Sequence, residues 1–498
     1  MHKPYVIGID QGTTGTFVGM MNENGDFVAQ AYKAHRQLLP RPGWVEHDPL
    51  ELWQIVSELV EMVMQQARVQ AGQIAGLGIA NQGESVVMWD AETGNPLHNV
   101  IVWQDTRTQP FIENLRRDSR IAQEIRARTG LQLDSYFSAS KIRWLLDHVP
   151  AAVEKLRQGR LRCGTLDTWF IWKFSGGQFY VTDPSTASRT LLYNIHTQQW
   201  DPVLLDCFGI PRELLPDVQP TTAYFGEICL PHLSSHGIPI LASIVDQPAA
   251  LFGHACLQAG QIKATYGTGC FINMNTRHRA VSSAHGLLTL LAWQRDDQTT
   301  YGLDGGIFTA GTSINWLHNT MGMITSPEVI DNLCSGIQEN PVIWIPAQIG
   351  LGAPYWNRTL RGGWLGIGLD TQPAHLVYAV LEGIALRVVQ IVRAMTSDSG
   401  LPVTQLRADG GLTHIQTLMQ LQADLLGKPV DVLADTQATG RGVCYLVARQ
   451  SGFWNTDDEV VRQVHIAKTF EPTWGDDRRE SRLSIFDRAI LALQTVDL

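Results

Sequence analysis

The residues best suited to chemistry sit in two short turns, one near the start of the chain and one just past its middle. The first, residues 7–16, reads IGIDQGTTGT; the second, residues 264–271, reads ATYGTGCF. Each is an apolar run that breaks into glycine and threonine. Such a turn points backbone N–H groups and hydroxyls inward, which suits a phosphate. Gly12, Thr13 and Thr14 are the candidate contacts in the first turn, and Gly267 and Thr268 in the second. Asp10 closes the apolar run just before the first turn. A carboxylate there can hold a hydrated Mg2+ beside phosphates, because Mg2+ takes few protein oxygens and keeps several waters. Taken singly, each turn reads equally well as a tight hairpin with solvated side chains. As a pair, one opening each half, they predict a duplicated fold that closes on one nucleoside triphosphate from two sides.

Two more glycine-rich segments extend the pattern. Asp409-Gly410-Gly411 ends an apolar run and opens a helix, and Ala310-Gly311 stands before another helix. Glycines there let a flat base or ribose approach the backbone.

These residues need elements to hold them. PYVIGID reads as a strand, with residues 19–27 as its antiparallel partner turned at Asn24-Gly25. A helix starts at the cap Asp48, with Pro49 in its first turn and Glu51 completing a capping-box-like pattern. Trp53, Val56, Val60, Val63 and Ala67 follow at helical spacing, and Gly72 is the expected stop. Residues 74–80 form a short buried strand that leads into Asn81-Gln82-Gly83-Glu84-Ser85. Further on, a long helix covers Pro373–Ser399, a strand covers residues 406–412, and a helix covers 415–426 with Gly427 as its stop.

A chain of 498 residues is too long for one core. Two domains are expected, 1–250 and 251–498, with no Pro/Ser-rich linker to mark the boundary. The net charge of −10 argues against a nucleic-acid or anionic-membrane partner. No signal-peptide pattern and no long uncharged apolar run appear, and the seven cysteines are scattered without a C-x-x-C pair. These features predict a cytoplasmic protein with reduced thiols.

The order IGIDQGTT, GWVEHDP, ANQGESVVMWD, VWQDTRT, TLDTWFIWKFSGG, VTDPSTASRTLLYNIHTQQWD, VDQPAALFG, YGTGCF, IPAQIGLGAPYW and DGG resembles the FGGY family of carbohydrate kinases. Within it, the glycerol kinases are the most similar. Residues 362–382 fit the family's second signature through His375, Leu376, Ala379 and Glu382. The resemblance spans nearly the whole chain. It implies an α/β fold of two actin-like (RNase H-like) domains with a nucleotide and substrate cleft between them. The N-terminal domain would carry the substrate and the first phosphate turn, and the C-terminal domain the second turn and the adenosine site. The implied partners are ATP, with Mg2+ as cofactor, and a small polyol or sugar. Many relatives self-associate, so a homo-oligomer is an open expectation.

Residue by residue, the resemblance makes Asp246 the catalytic base, placed also beside the Mg2+. An aspartate suits that role independently, since it can orient a hydroxyl and accept its proton. Glu84, Trp103, Tyr136, Gln247 and Phe271 match the acceptor pocket. Gly83 stands where glycerol kinases carry arginine, and that exchange removes a planar fork of donors and is expected to leave a space. The expected acceptor is therefore larger than glycerol, such as a tetritol, pentitol or ketopentose; glycerol itself is the alternative, if another residue supplies the donor. On the adenosine side, Ile415 and Gln416 replace a pair of asparagines, and Asn315 replaces a glutamine. Gly311, Asn315, Gly410, Gly411 and Gln416 are the expected nucleotide contacts there. A rival of another class is an actin-like nucleotide switch without kinase activity, which would not need a polar and aromatic pocket with an aspartate at its floor.

Overall fold

The computed structural model describes residues 3–230 and 237–495. Its first strand, Tyr5–Gln11, buries Val6, Ile7 and Ile9. It pairs antiparallel with Gly15–Asn22 in a register that sets Gln11 opposite Thr16. The connection is therefore the Gly/Thr turn itself, closed by Gly12 N donating to Gly15 O at 3.0 Å. This corrects the expected partner at residues 19–27. The Asn24-Gly25 turn exists, with Gly25 at φ 81°, but it carries the chain onward to the third strand, Phe27–Ala34. On its other side the first strand is flanked by parallel strands Ile74–Asn81 and then Ile240–Val245.

The second half repeats this plan. Ile262–Tyr266 pairs antiparallel with Cys270–Arg277 across the second Gly/Thr turn, and parallel with Leu406–Asp409, which is followed by Val430–Leu433. Three more strands complete a seven-stranded sheet. Low residue identity had hidden the duplication, but it is plain in strand order. Parallel neighbours bring their carboxyl ends to one edge, where an α/β sheet characteristically binds its ligand.

Helices cover these sheets as their apolar stripes require. Pro49–Ala67 buries Leu52, Val56, Leu59, Val60 and Val63. Asp48 caps it, accepting from Leu50 N at 2.9 Å. Glu51 does not reach back to the cap, because it binds Arg36 Nε at 2.9 Å. The helix ends earlier than Gly72, at Arg68, whose φ of 56° is left-handed; Gly72 lies in the short 3-10 turn Ala71–Gln73. Pro373–Ser399 forms as expected. It is the one described helix long and apolar enough to cross a membrane, and its apolar window is 89% buried inside the protein.

The two halves meet in a buried apolar cluster that includes Val6, Ile244, Val443 and Val447, and within it bare backbone allows close approach. Helix Ala438–Gln450 of the second half lies on the first sheet, where a Cβ at Gly8 would come 2.8 Å from Gly440 O. It crosses helix Asp246–Gly253 so closely that a Cβ at Gly442 would sit 1.9 Å from Ala249 O. Only glycine permits that approach. Ala250 lies inside the helix Asp246–Gly253.

Candidate active site

The strand Ile74–Asn81 runs beside Tyr5–Gln11, so the polar stretch after it emerges against the first Gly/Thr turn. Gln82 N donates to Gln11 O at 2.9 Å, and its side-chain amide donates to Gln11 Oε1 at 3.2 Å. Ser85 Oγ donates to Gln82 Oε1 at 2.8 Å and accepts from Trp103 N at 3.1 Å. The Trp103 indole N–H then donates to Thr13 Oγ1 at 2.8 Å. One expected phosphate contact and one expected acceptor contact are thus directly bonded. Tyr136 packs edge-on against Trp103, with ring centroids 5.3 Å apart. The loop behind Tyr136 is held by the buried Lys141, whose Nζ donates to the carbonyls of Ser135 and Tyr136 at 2.7 Å each and of Phe137 at 3.1 Å.

Glu84 is buried, and Arg189 Nε donates to its Oε1 at 2.6 Å. Arg189 Nη1 lies 3.5 Å from Asp304 Oδ2 in the second half and has no hydrogen-bond partner. Burial pushes the Glu84 carboxyl up, against the pull of Arg189. Burial also works against the Arg189 charge, but Glu84 and Asp304 outweigh it and raise the guanidinium pKa. A cation fixed between two carboxylates, with one donor to spare, is prepared to take a hydroxyl oxygen.

This arrangement corrects the reading of Gly83. A Cβ at that position would lie 2.5 Å from Val245 Cγ2 and 3.4 Å from Arg189 Cγ. There is no vacancy: a valine methyl and the arginine stem take the volume. A small cavity of about 20 Å³ beside this site is walled by Tyr136, Arg189, Phe271, Asp304, Phe308 and Trp356. Arg189, Asp304 and Lys141 escaped sequence reasoning. The only signal was the position of Arg189 in the matched segment VTDPSTASRTLLYNIHTQQWD.

Three aspartates gather at the sheet edge between the halves. Asp10 aligns with Ala80, which aligns with Ile244, so Asp246 follows at the end of the neighbouring strand. Burial, then the charges of Asp246 and Asp409, push the Asp10 carboxyl up to about 7. Asp246 is also pushed up to about 7, by burial and then by Glu84. Burial works on Asp409 too, but His254, 3.2 Å away, and Lys263 prevail and hold it below the usual range. Among the described residues no three His, Cys, Asp or Glu side chains form a metal cage. These two half-buried carboxylates, each disfavoured in the charged state first by burial and then by a neighbouring carboxylate, nevertheless fit a cation held mainly by phosphate and water.

The second turn abuts the remaining glycines. Gly311 N donates to Gly267 O at 3.0 Å and Thr312 N to Thr268 O at 3.1 Å, so helix Gly311–Asn319 starts on the turn itself. A Cβ at Gly311 would lie 2.6 Å from Gly267 O. Gly410, at φ 95°, has the same relation to Tyr266 O at 2.5 Å. Asn315 is exposed one turn along its helix. Gln416 departs from expectation: its amide oxygen accepts from Lys468, and its nitrogen lies 3.5 Å from His414 O. The side chain is thereby turned to its own surroundings, not left free for a base.

Comparison with known proteins agrees with this geometry. The N-terminal domain of the FGGY family of carbohydrate kinases matches residues 5–253, and its C-terminal domain matches residues 262–451. Glycerol kinase from Paraburkholderia phymatum is 41% identical over 493 residues, covering 99% of this chain and 98% of its own. Glycerol kinase from Thermus thermophilus is 41% identical over 489 residues, 98% of each chain. The crystal structure of Plasmodium falciparum glycerol kinase with ADP superposes with a TM-score of 0.93 at 32% identity, covering 99% of both chains. A xylulose kinase from Lactobacillus acidophilus shares the fold, with a TM-score of 0.87 at 22% identity over 99% of this chain and 98% of that one. The chain belongs to the FGGY family of carbohydrate kinases, and it is an ATP-dependent phosphotransferase acting on a hydroxyl of a polyol or sugar.

Proposed function

We propose that the acceptor is glycerol. The observation that carries this reading is the buried Arg189, bonded to Glu84, with Nη1 ion-paired to Asp304 at 3.5 Å but making no hydrogen bond. It supplies the cationic donor that Gly83 lacks, while Val245 closes the room a longer chain would need there. The glycerol kinases that match this chain end to end support the same acceptor.

In this reading Glu84, Arg189, Trp103, Tyr136 and Gln247 hold the acceptor hydroxyls, and Phe271 packs on its carbon skeleton. Asp246 orients the attacking hydroxyl and takes its proton, a step typically worth ~10²–10⁴-fold. Gly12, Thr13, Thr14, Gly267 and Thr268 cradle the phosphates from both halves. Gly311, Asn315, Gly410 and Gly411 receive the adenosine, with Gln416 at its margin. Asp10, with Asp246 beside it, would hold Mg2+, which neutralises charge on the transferring phosphoryl group. Closure of the halves excludes water and so limits hydrolysis of ATP.

A second reading, a four- or five-carbon polyol or ketose, is favoured by the aromatic cavity next to Arg189. A coupled assay for ADP over glycerol, tetritols, pentitols and ketopentoses separates the two. The highest kcat/KM for glycerol supports the first reading, and a higher value for a longer acceptor supports the second. ADP release indifferent to every acceptor would return the protein to the nucleotide-switch class.

A further inference from the structure

We infer that Lys263 is a positioning residue that fixes the Gln247 carboxamide and thereby ties the acceptor end of the cleft to the second phosphate turn. The inference rests on the kinase reading above. Lys263 is fully buried, which lysine tolerates only when its ammonium is well partnered. Its Nζ donates to Gln247 Oε1 at 2.5 Å and to Thr265 Oγ1 at 3.0 Å. Among the described residues it makes no ion pair, although Asp246, Asp304 and Asp409 all lie within reach of its charge. Its cost of burial is therefore met by the field of three carboxylates and by two neutral acceptors, one of them in the other half of the chain.

The chemistry of that bond sets an orientation. An ammonium has donors only, so it binds the oxygen of an amide and never its nitrogen. Once Gln247 Oε1 is held, the NH2 must point away from Lys263. Gln247 is half-buried and follows Asp246 directly at the start of helix Asp246–Gly253, so that NH2 is available to the acceptor. Lys263 itself stands in strand Ile262–Tyr266, which runs straight into Gly267 and Thr268. The same hydrogen bond therefore orients a donor at one end and joins the two halves behind the reacting groups.

The test is a double-mutant cycle on the full-length protein, read as kcat/KM for glycerol at saturating ATP. Lys263→Met and Gln247→Ala are each expected to lower it by about 10- to 100-fold, mostly through the glycerol KM. The double variant should fall no further than either single one, since Lys263 acts through Gln247. Multiplying losses, or a loss from Lys263→Met confined to the ATP KM, would overturn the inference. If Lys263→Met does not fold, Gln247→Glu replaces it. That carboxylate keeps the bond to Lys263 but offers no N–H, so the loss should match that of Gln247→Ala; wild-type kcat/KM would overturn the inference. The kinase reading is checked apart from this by the unmodified protein, which fails it if glycerol does not stimulate turnover.

Discussion

Replacing Arg189 by lysine isolates the feature on which the acceptor assignment depends. In the wild type one guanidinium does two jobs: Nε binds Glu84 at 2.6 Å, and Nη1 pairs with Asp304 at 3.5 Å while its hydrogen bond stays open. A lysine ammonium can keep a charge beside Glu84 but cannot present a second nitrogen from a planar fork. The loss is then one charge-assisted hydrogen bond to the acceptor, about 1.5–3 kcal/mol. At ~1.36 kcal/mol per decade, kcat/KM for glycerol should drop about 10- to 150-fold. Thermal stability should change little, because Glu84 retains a cation. Arg189→Met should behave differently, since it leaves two buried carboxylates unpaired, and breaking such a pair costs about 3–5 kcal/mol. An ADP-coupled assay over a glycerol series and a thermal melt on the same preparations measure both effects. Wild-type kcat/KM in Arg189→Lys, or a loss falling only on the ATP KM, would refute the reasoning.

Gly410→Ala forces alanine to φ 95° with its Cβ 2.5 Å from Tyr266 O; the strain of a backbone conformation that essentially only glycine adopts costs about 1–3 kcal/mol by itself. Weaker ADP binding by calorimetry is expected, and unchanged binding would contradict the placement of this turn at the nucleotide. Thr13→Val removes the acceptor of the Trp103 indole N–H at a cost of about 1–3 kcal/mol, and the glycerol KM should rise; an unaltered glycerol KM would show that Trp103 needs no such anchor. Because Asp246 is pushed up to about 7, kcat/KM for glycerol should climb with pH through that value as the base ionises, and a flat profile down to pH ~5 would remove Asp246 from the role. The same shift acts on stability with the opposite sense. The folded state holds protons on Asp10 and Asp246 that carboxyls of ordinary pKa 3.8 release, so their contribution to stability declines as pH rises from about 4 to 7. Melts of Asp246→Asn across that range should show a shallower decline than the wild type.

The phosphate turns were legible because each is a local event. Asp10 and Gly12, or Tyr266 and Gly267, are an apolar strand meeting glycine, and both the residue types and the change of pattern lie within a few positions. The helix stop at Gly72 and the partner strand at residue 19 were misplaced for a related reason. Arg68 adopts a left-handed conformation that favours glycine, and the turn at 12–14 is so tight that it left no loop to see. The acceptor site was legible only in part. Gly83 reads as a hole when its neighbours are unknown, yet the atoms that fill it come from Val245 and Arg189, far along the chain. Lys263, Asp304 and Arg189 carry no local mark either. An isolated charged residue on a strand or in a short polar run has the pattern of a solvated one, and only residues far along the chain bury it.

The most direct test of the central claim compares the wild type with Asp246→Asn by phosphorus NMR, using ATP, Mg2+ and glycerol. The wild type should convert glycerol to its monophosphate with one ADP formed per product. Asp246→Asn should bind ADP as the wild type does and form almost no product. Near-normal turnover by Asp246→Asn, or ADP release by the wild type without phosphorylated glycerol, would contradict the claim.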